Sequence, residues 1–313
     1  MISYLLLTLG LVILLFGGKI LVDGATSIAI KLGMSTGLIG LTVVALGTSM
    51  PELIVSINAA LKGNSDIAIG NVLGSNLSNI GLVLGVTGLF YPILIRQSHV
   101  RFDFLLTVLA AILFYGFSYN GIISLREGII LFSLFLGFNA YLFRKLGSGI
   151  GDTLEDAETE VEQAKNFTWK VAIGLFFGGI LGLYIGSELL VVNAVKISGE
   201  LGVSERIIGI TIVAIGTSLP ELVTSIIAAL SKRTDLALGN ILGSNILNIL
   251  AVIGITAIIK PIRVSQEFID SDYLWMIGIT LLLYPLMKTK MRISMIEGAI
   301  LLTCYISYLF FLL

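Results

Sequence analysis

The chain has 313 residues, 56% of them hydrophobic and only 12% charged, about half the charged share of a soluble domain. A net charge of −1 argues against a nucleic-acid partner, and the single cysteine, Cys304, excludes an internal disulfide. The single histidine, His99, leaves no imidazole set for a transition-metal centre.

The apolar residues fall in blocks long enough to cross a hydrocarbon core of roughly 30 Å. Taken in chain order, they predict spans at 2–30, 37–62, 67–93, 101–120 and 125–146, then at 168–197, 205–231, 236–260, 270–287 and 292–313. The first block lacks a basic start and a small-x-small cleavage site and continues through Lys19 and Asp23, so it reads as a span and not a leader. The one strongly polar connection is Gly147 to Asn166, with Asp152, Glu155, Asp156, Glu158, Glu160 and Glu162. It divides the chain into an N-terminal five-helix unit (1–146), an acidic linker (147–166) and a C-terminal five-helix unit (167–313).

The two units are copies. A shift of 169 places residues 40–80 on 209–249 without a gap, with 25 identities in 41 positions. GTSMPELIVSI (47–57) meets GTSLPELVTSI (216–226), and GNVLGSNLSNI (70–80) meets GNILGSNILNI (239–249). An odd number of spans per copy forces the second to cross the membrane upside down relative to the first. The expected fold class is therefore all-α: a polytopic membrane protein of ten transmembrane helices in two inverted five-helix repeats. In such transporters, ion sites sit near the midplane where the repeats meet. With the N-terminus outside, twelve lysines and arginines fall in inner loops; six, Lys62, Arg126, Lys196, Arg206, Lys260 and Arg263, fall in outer ones. That bias predicts an outside N-terminus and a cytoplasmic linker.

Glu52 and Glu221 each sit mid-span in an otherwise uncharged helix, where an ionisable group costs at least ~2.5 kcal/mol on insertion scales and normally serves a pathway. A protonated, purely structural glutamate is the plainer explanation, and the symmetry of the pair speaks against it. Pro51 and Pro220 directly precede them. Proline lacks an N–H, so the carbonyls of Gly47 and Gly216, four residues back, lose their helical partners. Freed carbonyls persist in a membrane only where they line a cavity or bind something. Thr48–Ser49 and Thr217–Ser218 add hydroxyls; Ser75, Asn76 and Asn79, mirrored by Ser244, Asn245 and Asn248, add neutral oxygens. Asn71, Asn240, Asn76 and Asn245 also suit plain interhelical hydrogen bonds. An all-oxygen centre with two carboxylates suits hard cations such as calcium, which takes 6–8 oxygens. The same oxygens would hold sodium ions or two protons.

These motifs, GTSxPE followed by GNxxGSN in both halves, resemble the calcium/cation antiporter superfamily, most closely its prokaryotic sodium/calcium exchanger branch. The resemblance implies an inverted 5+5 bundle in which the second, third, seventh and eighth spans enclose the ions and the first and sixth slide between states. It implies exchange of calcium for sodium, with Glu52 and Glu221 as calcium ligands. Thr48, Thr217, Ser49, Ser218, Ser75, Ser244 and the carbonyls of Ala45 and Ala214 would serve sodium or calcium, with Asn79 as a neutral member of the site. Asn248 departs from the pattern, because sodium/calcium exchangers carry an aspartate there. Two carboxylates instead of three keep calcium/proton antiport open, and a cation channel is the rival from another class. No enzyme signature, cofactor or protein partner is expected; the partners are calcium and sodium ions and the bilayer, and the chain is expected to act as a monomer. Lys19 and Glu188 occupy equivalent positions in the first and sixth spans, where reaching to an interface accounts for them better than pairing or gating. His99, Cys304, Trp169 and Trp275 read as loop, lipid-facing or interface residues.

Overall fold

Two long helices carry glycine where their backbones meet. In the computed structural model, which describes residues 2–145, 167–201 and 214–312, these are α1 (Ile2–Leu32) and α7 (Trp169–Glu200). A Cβ built on Gly24 would lie 2.5 Å from Phe176 N, one on Gly17 2.7 Å from Leu183 N, and one on Gly10 2.8 Å from Leu190 N. Contacts that descend α7 as they climb α1 make the two helices antiparallel. Only glycine permits so close an approach.

The second predicted span is broken. Helices α2 (Thr36–Thr48) and α3 (Met50–Leu61) meet at 44°. Ser49, at φ −88° and ψ 7°, is the non-helical joint, and Pro51 stands in the first turn of α3, where its missing N–H is no loss. In the other half, α8 (Ala214–Thr217) and α9 (Leu219–Leu230) meet at Ser218, at φ −89° and ψ 4°. The predicted linker and the first residues of the predicted 205–231 span lie outside the described residues.

The remaining helices are α4 (Ser65–Phe90), α5 (His99–Ser118), α6 (Leu125–Lys145), α10 (Thr234–Ile259), α11 (Tyr273–Lys288) and α12 (Met295–Leu312). Among the described residues, seven helices are long and apolar enough to cross a membrane, or eight with the bent pair α2–α3 counted as one. Capping boxes start the last helix of each half. The Ser124 N–H donates to Glu127 Oε2 at 2.6 Å, and the Ser294 N–H to Glu297 Oε2 at 2.9 Å. Just ahead of them run two antiparallel ribbons that join the halves, β1 (Ile93–Leu94) with β4 (Arg292–Ile293) and β2 (Ile122–Ile123) with β3 (Ile262–Arg263). Each ribbon is the repeat image of the other.

The apolar core lies where α4 and α10 cross. Ile69, Leu73, Leu77 and Ile80 of α4 and Leu238, Ile241, Leu242 and Ile246 of α10 are buried in it. Leu14, Leu21 and Val22 of α1 form a second cluster with Phe176 and Leu183 of α7. His99 corrects a sequence expectation: it is buried, with Nδ1 accepting from the Arg96 N–H at 3.2 Å and Nε2 3.9 Å from Asp235. Asp235 also holds Arg96 at 2.9 Å.

Candidate functional site

The broken spans place both glutamates in the first turns of α3 and α9, each 1% exposed. Neither points outward to lipid. Ser49, at the joint of one half, reaches across to the other and donates to Glu221 Oε1 at 3.1 Å. Ser75 of α4 donates to Glu52 Oε1 at 3.4 Å. The two carboxylates lie within electrostatic reach of each other. Thr48 and Ser244 flank the Glu221 carboxylate, although Ser244 Oγ has no hydrogen bond of good geometry. Thr48 Oγ1 contacts Ala45 O at 3.3 Å and Asn240 Oδ1 at 3.2 Å.

Asparagines tie the frame. Asn71 Nδ2 donates to Glu52 O at 3.1 Å and to Ser56 Oγ at 3.0 Å; its repeat mate Asn240 donates to Ser225 Oγ at 3.2 Å. Asn79 Nδ2 donates to Asn245 Oδ1 at 3.0 Å, and Asn245 Nδ2 to Asn76 O at 3.4 Å. Interhelical hydrogen bonding therefore accounts for Asn71, Asn240 and Asn245. Asn79 and Asn248 each open a widened π-helical segment, Asn79–Leu84 and Asn248–Ile253, a distortion common at functional sites.

The centre is rich in polar atoms without partners. Glu52 Oε2, Glu221 Oε2, Ser218 Oγ, Asn79 Oδ1 and both amide atoms of Asn248 are buried with no hydrogen-bond partner among the described residues. Each such group costs about 1–3 kcal/mol in a dry interior, and more when charged. Five of these six atoms are oxygens, the ligand type that a bound hard cation would satisfy. The carbonyls divide. Ala45 O already accepts from the Ser49 N–H at 3.0 Å, and Gly216 O, freed by Pro220, accepts from Ser187 Oγ of α7 at 2.9 Å. Ala214 lies at the start of α8. Ser187 was not singled out from sequence. Its mate is Gly18, so no repeated hydroxyl marks it.

A cleft of about 240 Å³ leads toward the site from one side. It is lined by Pro51, Ile54 and Val55 of α3, by Tyr184, Ser187, Glu188 and Val191 of α7, and by Gly216 and Thr217. The matching gap on the other side is closed. There α1 packs on α9 so tightly that a Cβ on Gly18 would lie 2.7 Å from Val223 Cγ1. Ile54 is 48% exposed, whereas its repeat mate Val223 is 7% exposed. Glu188 and Lys19 are both exposed, and no ion pair joins them among the described residues. Glu188 lines this cleft, which the interface explanation for it did not anticipate.

The chain resembles known proteins along nearly its whole length. "Putative antiporter CaxA" of Alkalimonas amylolytica is 41% identical over 318 residues, covering 100% of this chain and 99% of that one. The "Sodium/calcium exchanger MaX1" of Methanosarcina acetivorans is 32% identical over 348 residues, covering 98% and 97%. A solved structure of the sodium-calcium exchanger NCX_Mj, soaked with zero Na+ and Ca2+, superposes with a TM-score of 0.82 at 30% identity, covering 99% of both chains. The family model described as "Sodium/calcium exchanger protein" matches residues 2–144 and 171–313. With both halves matched in turn, the chain belongs to the sodium/calcium exchanger protein family, as a multi-pass membrane transporter of the calcium/cation antiporter superfamily.

Proposed function

We propose that this protein is a secondary antiporter that exchanges calcium for sodium at a single centre between Glu52 and Glu221. The observation that carries the reading is the pair itself: two buried carboxylates, one from each half, share a cluster of buried oxygens that lack partners. Two glutamates neutralise one divalent ion. Thr48, Thr217, Ser49, Ser218, Ser75, Ser244, Asn79, Asn248 and the Ala45 and Ala214 carbonyls complete the ligand set for calcium or for the sodium ions that replace it. Neither ion needs a resident cofactor, since each is cargo.

The working architecture is ten spans in two inverted repeats. Its supports are the antiparallel α1 and α7 and the two ribbons. With the ten predicted spans numbered in chain order, the loops between spans 3 and 4 and between spans 9 and 10 meet in one ribbon, and those between spans 4 and 5 and between spans 8 and 9 in the other, the pairing required if loops alternate between membrane faces. Contacts of Lys260 with Leu61 O and of Ser265 with Asp66 join the 8–9 and 2–3 loops on one face. Arg96 with Asp235 joins the 3–4 and 7–8 loops on the other. The loop charges favour an outside N-terminus and an acidic linker in the cytoplasm. On that orientation the cleft opens outward and the α1–α9 contact closes the inner side. Nothing in the architecture requires a second copy, so a monomer in the bilayer suffices.

Calcium/proton exchange through the same glutamates is a second reading. Asn248 favours it, because it contributes no third charge for sodium to balance. The test is calcium flux into proteoliposomes under an imposed sodium gradient, then a proton gradient, with potassium varied. Uptake driven by sodium supports the first reading, and uptake driven by protons alone the second. Calcium conducted with no opposing gradient would make the protein a channel and overturn both.

A further inference from the structure

The cleft and its closed counterpart differ in charge as well as in shape. Because α7 runs antiparallel to α1 and the helices are repeat mates, each lining residue of the open cleft has an image on the closed side. Ile54 corresponds to Val223, Tyr184 to Leu15, Ser187 to Gly18 and Glu188 to Lys19. Most of these exchanges keep the apolar or small character of the wall. Glu188 and Lys19 reverse its charge.

Among the described residues lining the open cleft, Glu188 is the only acidic or basic one, and it lies next to Ser187, whose hydroxyl holds the Gly216 carbonyl beside the site. A carboxylate lining a cleft raises the local cation concentration and the rate of capture. When the α1–α7 pair moves to open the opposite side, repeat symmetry gives Lys19 at that mouth the position Glu188 holds at this one. A lysine there lowers the local cation concentration and favours release.

We propose that Glu188 and Lys19 make the two mouths of the transport passage electrostatically unequal. Cations are drawn in at the Glu188 face and repelled at the Lys19 face, so one symmetric site has a sided apparent affinity. The proposal rests on the antiport reading for its consequence in transport, but the potential at the mouth can be measured without transport.

The test uses Ile54→Cys in a Cys304→Ser background, in detergent, with a cationic and an anionic methanethiosulfonate reagent. Replacing Glu188 by Gln should slow the cationic reagent and speed the anionic one, lowering their rate ratio about four-fold at about 0.15 M salt. Most of that change should vanish near 1 M, where the screening length is roughly 3 Å. Glu188→Asp should keep the ratio. In oriented proteoliposomes, Glu188→Gln should raise half-saturating calcium about three-fold on its own face only, and sodium less than two-fold, because the effect scales with ion charge. Lys19→Gln should lower half-saturating calcium on the opposite face. An unchanged reagent ratio in Glu188→Gln, or a change indifferent to salt, overturns the proposal. A shifted ratio in a protein whose parent exchanges no cation would retain the charged mouth and refute the antiport reading.

Discussion

The two halves carry almost the same motif and meet different surroundings. Glu52 and Glu221 are equally buried and Ser49 and Ser218 make the same joint, yet Ile54 stands in a cleft while Val223 is covered by α1. The difference arises outside the motifs, in the seating of the α1–α7 pair. Gly47 packs on Ile180 and Gly216 on Val191, so α7 touches both halves, whereas strict two-fold symmetry would put α1 on one of them. Under the proposed antiport, the duplicated sequence would allow a second packing related to this one by the repeat, and the chain would occupy only one at a time. Alternating access follows if the pair shifts between them.

The comparison is broken most severely at the carboxylates. Glu52→Gln and Glu221→Gln should each lower calcium exchange at least about 100-fold, because losing one partner of a buried charged set costs about 3 kcal/mol or more. The two losses should match, with the protein still monodisperse in detergent. One silent variant beside one dead one would show that the halves do not share an ion. Asn248→Asp is expected to shift sodium activation about ten-fold lower, roughly 1.4 kcal/mol for one added charge in the site, as read from initial rates against sodium concentration. Unchanged sodium dependence would mean Asn248 does not face the ions.

The smallest effect tests the sidedness. Ser187 holds the Gly216 carbonyl, and Gly18, its mate, offers no hydroxyl to Gly47. Ser187→Ala makes the halves more alike. It should move the balance between the two states by about 1 kcal/mol, roughly a five-fold change in the ratio of half-saturating calcium on the two faces. If both faces shift together, the hydrogen bond stabilises the site and not one state of it.

Much of this was legible in the sequence because local chemistry dictates it. A proline ahead of a mid-span glutamate breaks the helix wherever it stands, and a repeat of 25 identities in 41 positions announces a second copy of the same break. The ribbons were not legible, since strands two residues long carry no periodicity. The π-helical segments at Asn79 and Asn248, which pack against α12 and α6, leave no compositional mark. His99 looked like a loop residue because its partners, Arg96 and Asp235, come from opposite halves. Which side is open was also hidden, because the repeated motifs are compatible with either.

The most direct measurement labels Ile54→Cys and Val223→Cys, each in a Cys304→Ser background, with a membrane-impermeant thiol reagent applied to one face of oriented vesicles at a time. Inverted halves that take turns opening require Ile54→Cys to react only from the face bearing the 2–3 loop and Val223→Cys only from the opposite face, with ion conditions that raise one rate lowering the other. Both cysteines reacting from the same face, or both rates rising together, would contradict the account.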